Sequence, residues 1–464
     1  MSTHHPTPTI LLPGLPPKTL VGIDLITFTS TPNFHGIRDL SPGWHFLYTG
    51  ATETLSLRSG AWFYIGDITT AGKGSNDTAL VAQGHKNQTQ NASEPEIYIW
   101  KWSVNTESLV ALDGESASSL QESMRYKANL GSVWQSGGLF KYRSRIAPSM
   151  LVKPVTESDT GEKNEQDQPE HQIEARIQTE DDSQTEESGR RDWSGLTDRI
   201  SPSLLSRVIG KPEVDVDGHP RWALSSASTA NCDADHIPGV DSPAEGSHEP
   251  EPEREFGFIP VDLKRTWREG AVGRERTEAA KDRSWALGDL IDRYAGEASG
   301  GNQLLGELQF TFLMVLTMMN YSCLQQWKRL LELILTSRGA ILDREAFMSE
   351  VLRILSLQLQ RCDDVDGGLF EIDGDEGGAF LRDLLMKLRQ SVDDLVGDSG
   401  SEVKLELDKL EEWVRAEYNW ELRRGTVVRH GMLQLEDGEQ VEMDWDGNDE
   451  DDETGEYAPV IVDM

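Results

Sequence analysis

The residues of this chain that could do chemistry are few and scattered. Asp24 lies in a Gly-Ile-Asp-Leu stretch, and His35 and His45 flank a Gly/Pro-rich turn close to it. A carboxylate and an imidazole in hydrogen-bond reach make a general acid–base pair, but such a pair needs a partner group that spacing does not reveal. The reading favoured here is that they brace the fold. Gly72-Lys73-Gly74-Ser75 sets a lysine among glycines, yet the upstream glycine of a GxxxxGK[ST] loop is missing and no GxGxxG follows a strand. No GxSxG elbow or HExxH helix occurs either. Asp364, Asp366, Asp373 and Asp375 invite a calcium reading, but Leu369 stands where an EF-hand loop needs its turn glycine and Asp375 where it needs a bidentate Glu. Counting from Asp444 fails in the same way, with Asp449 at the glycine position. Cys232, Cys323 and Cys362 form no CxxC pair and no zinc spacing with histidine. No enzyme class, metal or cofactor rises from these residues.

Alternating folded and solvated blocks must position them. From Ile10 to Trp102 short aromatic and β-branched runs predict strands at Gly22–Leu25, Gly43–Tyr48, Ala61–Ile65 and Ile97–Trp102, separated by turn formers such as Pro13-Gly14 and Pro42-Gly43. Ser116–Val133 turns helical, with Leu120, Met124 and Leu130 on a repeating interval. Thr156–Ser188 has almost no large apolar residue and predicts disorder, since it cannot bury enough surface to offset ordering entropy. Trp193–Ile209 is an apolar island with Ser201-Pro202 as a helix start. Pro212–Glu255 reads as a linker. Helical intervals then run from Thr277 to Tyr418, including Leu304–Leu316 and Tyr321–Leu335 with a break near Asn320. Within the latter, Trp327-Lys328-Arg329 looks like a basic-aromatic contact, but the interval turns Trp327 to the core while the basic pair reaches outward.

The expected fold class is α+β with two domains, an N-terminal β-rich, sandwich-like domain and a C-terminal all-α helical domain, joined by acidic disordered linkers. The boundaries are a β-rich domain over 1–155, a disordered acidic insertion over 156–190, a helical segment over 191–210 that docks on the N-terminal domain, a disordered linker over 211–255, a helical domain over 256–424, and an acidic tail over 425–464.

Charge narrows the partners. The formal net charge of −36 over 464 residues repels phosphate backbones and anionic lipid, so strong direct nucleic acid binding and membrane binding are not expected. The apolar run Leu308–Met319 is too short to span a bilayer, which takes roughly twenty residues. The N-terminal residues show no signal peptide, and three widely spaced cysteines fit a reducing compartment. Basic proteins, or proteins held by apolar and backbone contacts, are the partners that remain. Pro459-Val460-Ile461-Val462, just after an acidic run, is β-prone: it could pair with the chain's own sheet, fray, or add to an edge strand of a partner.

Two blocks are more specific. Leu15-Pro16-Pro17-Lys18-Thr19, Gly22-Ile23-Asp24, Phe34-His35-Gly36-Ile37 and Pro42-Gly43-Trp44-His45-Phe46-Leu47 resemble the opening signature of the AAR-two splicing factor family, with Ser41 in place of the commoner proline. Leu305-Gly306-Glu307-Leu308-Gln309-Phe310-Thr311-Phe312 and Gln326-Trp327-Lys328-Arg329-Leu330-Leu331 resemble the helices of the same family. The resemblance is colinear and skips the acidic inserts. It implies a non-enzymatic, chaperone-like assembly factor for the U-five small nuclear ribonucleoprotein in pre-mRNA splicing, without cofactors, working in cytoplasm and nucleus. The implied partner is the large scaffold protein Prp-eight, near its ribonuclease-H-like and Jab/MPN domains, with association of the Brr-two helicase delayed. The signature residues Gly22, Ile23, Asp24, Gly36, Gly43, His45, Phe46, Gly306, Glu307, Leu308, Gln309, Phe310, Trp327 and Lys328 are read as structural. In this family the tail lies as a strand against the partner, which places partner binding on Ala458, Pro459, Val460, Ile461 and Val462. The alternative is an acidic chaperone for another basic protein.

Overall fold

The computed structural model describes residues 7–51, 57–68, 96–114, 116–145, 168–230, 255–294, 301–362, 375–397, 400–423, 430–434 and 440–444. The chain divides into a unit over Met1–Leu407 and a second over Asp408–Met464.

In the first unit the period-two apolar pattern builds two sheets. One has the order β8 (Ser108–Ala111), β7 (Ile97–Ser103), β1 (Thr9–Leu11), β4 (Gly36–Arg38), β9 (Leu139–Lys141). The other runs β10 (Glu213–Val214), β11 (Pro220–Ser225), β6 (Arg58–Ile65), β5 (Gly43–Gly50), β2 (Leu20–Ile23), β3 (Ile26–Thr29). The second is antiparallel throughout, while β1 pairs parallel with β7 and β4 parallel with β9. Successive side chains on a strand face opposite ways. Ile10, Val21, Ile23, Leu47, Phe63, Ile65, Tyr98 and Trp100 therefore fill one core between the sheets. Their neighbours Leu11 and Ile99 turn outward and pack with Leu130 of α1 (Ala117–Gln135).

The opposite face of the six-stranded sheet is aromatic. Trp44, Phe46, Trp62 and Trp222 are buried on it, and the helices close over them. Besides α1, the helices are α2 (Gln168–Thr197), α3 (Pro202–Val208), α4 (Arg274–Lys281), α5 (Ser284–Tyr294), α6 (Asn302–Met318), α7 (Tyr321–Leu335), α8 (Ala340–Asp343), α9 (Glu345–Gln360), α10 (Asp375–Val396) and α11 (Glu402–Tyr418). Those that meet the aromatic face are α2, α3 and α6, through Trp193, Ser206 and Phe310. Every residue of α6 from Leu304 to Met318 is buried, as an all-round apolar helix requires. It packs against α2, α3, α5, α7 and α9. Its end is local chemistry: Met319 takes a left-handed conformation, and the Asn320 side chain accepts the Cys323 N–H to start α7. The β-rich and helical regions are thus both present, sharing an aromatic seam inside one unit.

Two stretches differ from the sequence reading. Within 156–190, expected to be disordered, residues from Gln168 onward are helical, in α2. Ion pairs one turn apart, Arg190–Glu186 at 3.3 Å and Arg191–Glu187 at 3.5 Å, support its polar face. Trp193 and Leu196 anchor its end in the core. Within 211–255, expected to be a linker, β11 is a full strand of the sheet, with Trp222 opposite Trp62. Pro220 stands at its first position, where a missing N–H is tolerated. Buried Arg221 is held by Glu213 at 2.6 Å and lies 5.1 Å from the Trp100 ring. On α1, Leu120 and Met124, expected on the apolar stripe, are exposed, whereas Leu130, expected with them, is buried against the sheet beside Tyr126, Val133 and Trp134.

The second unit holds the end of α11 and a hairpin, β12 (His430–Gln434) with β13 (Gln440–Asp444), in register Leu433↔Val441. Glu411 of α11 is buried and takes Arg415 at 2.9 Å and Arg423 at 3.0 Å.

Candidate functional site

The first signature block converges on Asp24. This residue follows β2 with a positive φ of 56° and is buried with both oxygens engaged. Its Oδ1 accepts the Phe46 N–H at 2.9 Å, and its Oδ2 accepts from His45 Nδ1 at 2.8 Å and the Tyr142 hydroxyl at 2.6 Å. The other ring nitrogen of His45, Nε2, faces the Ser41 carbonyl at 2.7 Å. A carbonyl and a carboxylate only accept, so this geometry favours hydrogen on both ring nitrogens, the imidazolium form of His45. Burial disfavours that charge, but Asp24 and the Ser41 carbonyl outweigh it and raise the pKa above 6.5. Tyr142 is pushed well above the phenol range by burial and by Asp24. All three side chains are buried, and His45 and Tyr142 spend their donors on Asp24 and the Ser41 carbonyl. The triad ties the β2 end, β5 and the segment after β9 together.

Two signature glycines serve close packing, and a third, Gly43, serves a backbone conformation that L side chains rarely adopt. A Cβ on Gly22 would stand 2.0 Å from the Tyr48 ring, and one on Gly36 would stand 2.1 Å from the Ile10 carbonyl. Gly43 opens β5 at φ 126°. Ile23 lies in the sandwich core, and Phe46 lies on the seam, 5.0 Å from the Trp62 ring.

The second block works as a pair of clamps. Glu307 on α6 is buried, accepts the Ile259 N–H at 3.0 Å and the Gln326 amide at 2.8 Å, and pairs with Arg207 at 2.7 Å. Gln326 donates in turn to the Ile259 carbonyl at 2.8 Å. Two side chains from α6 and α7 thus hold one peptide group on each side, as a neighbouring strand would. Burial raises the Glu307 pKa, with Arg207 and the hydrogen bonds opposing. Two residues on, Gln309 reaches the other way: its amide donates to the Gly195 carbonyl at 2.9 Å and to Asp198 at 2.7 Å, and its oxygen accepts the Arg199 N–H at 3.0 Å. Gly306 makes room for this approach, because a Cβ there would lie 2.5 Å from the Arg199 carbonyl. Leu308 is fully buried, and Phe310 meets Trp62 at 6.4 Å. The Trp62 ring also stacks on Trp193 at 6.1 Å, so both signature blocks abut one tryptophan. Trp327 is in the core, donating to Gln358 at 3.1 Å, while the Lys328 ammonium lies 5.3 Å from the Phe380 ring.

Tyr142, Arg207, Gln326 and Ile259 complete these arrangements and were not singled out from the sequence. Tyr142 lies 118 positions from Asp24, and no spacing rule reaches that far. Gln326 stood inside the quoted motif, and its amide beside a buried Glu was the available signal.

Among the described residues one cluster has metal-ligand chemistry: Asp215, Asp217 and His219. Asp215 Oδ1 accepts the N–H groups of Asp217 at 2.9 Å and His219 at 2.8 Å, and its Oδ2 faces His219 Nδ1 at 3.1 Å. Lys127 holds Asp217 at 2.5 Å. The ligand atoms are spent on closing a turn. A hollow of about 10 Å³ beside Leu25, Ser144, Asp192 and Arg361 is barely the size of one water. No helix among the described residues is long and apolar enough to cross a membrane. The phosphate-loop-like Gly72–Ser75, Cys232, most of the calcium-like aspartates and the Ala458, Pro459, Val460, Ile461 and Val462 segment lie outside the described residues.

A bracing triad and two clamps hold this scaffold together, and comparison with known proteins names its class. Residues 6–210 match the AAR2 N-terminal domain and residues 258–423 match the AAR2 C-terminal repeat region. The chain belongs to the AAR2 family. It is similar to the human protein AAR2 homolog, 32% identical over 104 residues, and equally to that of Pongo abelii. It is also similar to the rabbit protein of that name, 36% identical over 91 residues. The human match covers 22% of this chain and spans about a quarter (26%) of the relative's length.

Proposed function

We propose that this chain is a non-enzymatic assembly factor of pre-mRNA splicing that holds the large U-five scaffold protein during particle maturation. Its role is to occupy that protein near the ribonuclease-H-like and Jab/MPN domains and so delay the Brr-two helicase, in cytoplasm and then nucleus. The observation that carries this reading is the colinear match of both AAR2 regions over the two folded halves. The use of Asp24, His45, Glu307 and Gln309 as internal ties supports it, because residues spent on the fold leave a surface, not a pocket, to do the work. The test is capture: the tagged full chain, incubated with extract or with the purified scaffold fragment, retains that protein. A folded bait that recovers none rejects the proposal.

Within this reading the segment Ala458–Val462 adds as a strand to the partner's sheet, main-chain hydrogen bonds giving affinity. Val460→Pro removes a ladder donor and fixes φ. It weakens binding of the scaffold fragment by about tenfold in a titration, the loss of roughly one well-made buried hydrogen bond. Unchanged affinity rejects the strand.

One observation favours a second reading. From Gly431 to Met464 there are thirteen acidic and no basic residues. Such a segment suits a chaperone for a basic protein. If deletion of these residues abolishes all protein binding while the scaffold is never captured, that reading replaces the first.

A further inference from the structure

Among the described residues, one helix packs on almost nothing. α4 buries none of its residues, and eight residues with no apolar face are too few to stay helical in water unaided. Polar ties hold it. The Thr266 hydroxyl donates to the Ala279 carbonyl at 2.6 Å, and Arg276 donates to the Ala271 carbonyl at 2.6 Å while lying 5.5 Å from the Trp267 ring. At its far end the Gly339 N–H donates to Asp282 at 3.1 Å and the Ala340 N–H to Ser284 at 3.0 Å. The loop before α4, the helix itself and the start of α5 therefore form one raised element on the first unit.

Its charge opposes that of the chain. From Val261 to Trp285 seven basic residues stand against five acidic ones, in a protein of net charge −36. Among the described residues, Lys264, Arg265, Arg268 and Lys281 are exposed and have no acidic partner. Between and beside them Val272 is 67% exposed and Trp285 is 44% exposed. Unpaired cations around large exposed apolar side chains complement a protein surface that sets carboxylates round an apolar anchor, and Trp and Arg are the residues that dominate such contacts. Glu275 and Glu278, interleaved along α4, disfavour a nucleic acid, whose backbone needs one sign throughout.

We infer that residues 264–285 are a docking surface for an acidic protein segment carrying an aliphatic or aromatic anchor. This rests on the reading of the chain as a protein-binding factor, but not on the partner's identity. The test uses the full chain and a fluorescein-labelled peptide of alternating Glu and Leu, followed by anisotropy. Saturable binding is expected, weakened about tenfold or more in the triple variant K264E/R265E/R268E and also weakened in Trp285→Ala. The variant K18E/K141E/K211E shifts the net charge equally at exposed lysines elsewhere and is expected to bind as the wild type does. Far-UV circular dichroism shows that each variant is folded. Equal losses in both triple variants overturn the proposal, since the effect then belongs to overall charge. Tighter binding of labelled oligouridylate than of the peptide also overturns it. Scaffold capture without peptide binding rejects this surface and leaves the assembly reading standing; peptide binding at the patch without scaffold capture does the reverse.

Discussion

At the scale of single residues, the most exposed piece of physics is the imidazolium of His45, placed in the core with Asp24 as its counter-ion. Burial works against the charged ring, the carboxylate outweighs it, and the folded pKa stands above 6.5. The folded state therefore holds the proton more tightly than the unfolded one. The stability this contributes is complete below pH 6.5 and drains away as pH rises through the folded pKa. His219, raised by Asp215 against its own burial, carries the same sign. Denaturant melts taken from slightly acid to mildly alkaline pH are expected to show falling stability, and the slope to flatten in His45→Gln. That variant also leaves Asp24 buried without its cation, a loss of about 3–5 kcal/mol at the acid end. An unchanged slope rejects the charged assignment. Little of this was legible beforehand: Asp24 and His45 stood out as types, but Tyr142, which makes the carboxylate's third bond, carries no local signal.

At the scale of elements, two glycines in helices give opposite expectations. Gly306 of α6 faces the Arg199 carbonyl, where an added Cβ would stand 2.5 Å away, with Leu204 at 2.9 Å. Gly306→Ala pushes the α2–α3 turn off the helix and costs about 1–3 kcal/mol. Gly131 of α1 has nothing within 4 Å, so Gly131→Ala stabilises by about 0.5–1 kcal/mol through backbone entropy alone. Paired melting curves check both, and a reversal of the two signs would falsify the packing described around α6. Elements with a strong period were readable in advance: β5, β6 and β7 by alternation, α6 and α7 by apolar content. β11 was not, because its pairing with β6 spans more than 150 positions and its neighbours are polar. For α2 the Glu, Gln and Arg content suits either a helix or an unstructured chain, and the deciding anchors, Trp193 and Leu196, come only at its end.

At the scale of the molecule, charge and packing divide the chain differently. Residues 1–155 hold twelve basic against eleven acidic side chains, a net of +1, so all of the −36 lies beyond them. Packing does not follow that division. The Trp62 ring meets Phe46 of its own sheet, Trp193 of α2 and Phe310 of α6, and Arg58 of β6 donates to the Thr317 carbonyl of α6 at 2.6 Å. A fragment of residues 1–230 therefore exposes the aromatic face that α6 covers. It is expected to bind a hydrophobic dye and to melt well below the full chain; a fragment as stable as the whole would show that the seam contributes little. Family membership was legible at this scale from two short blocks, whereas the sharing of one unit by sheet and helices was not, since no sequence period reports which surfaces meet.

The placement of β1 has a consequence for how the protein is made. Although it leaves the ribosome before the other strands of the two sheets, it lies in the middle of its own, between β4 and β7. One edge waits for Ile97–Ile99 to emerge, the other sheet gains β11 only after Ser225, and its aromatic side is uncovered until α6 is translated. Pairings so distant along the chain form slowly. For most of synthesis the nascent protein therefore offers unsaturated strand edges and bare tryptophans to its surroundings, a span in which holding chaperones are needed to prevent aggregation.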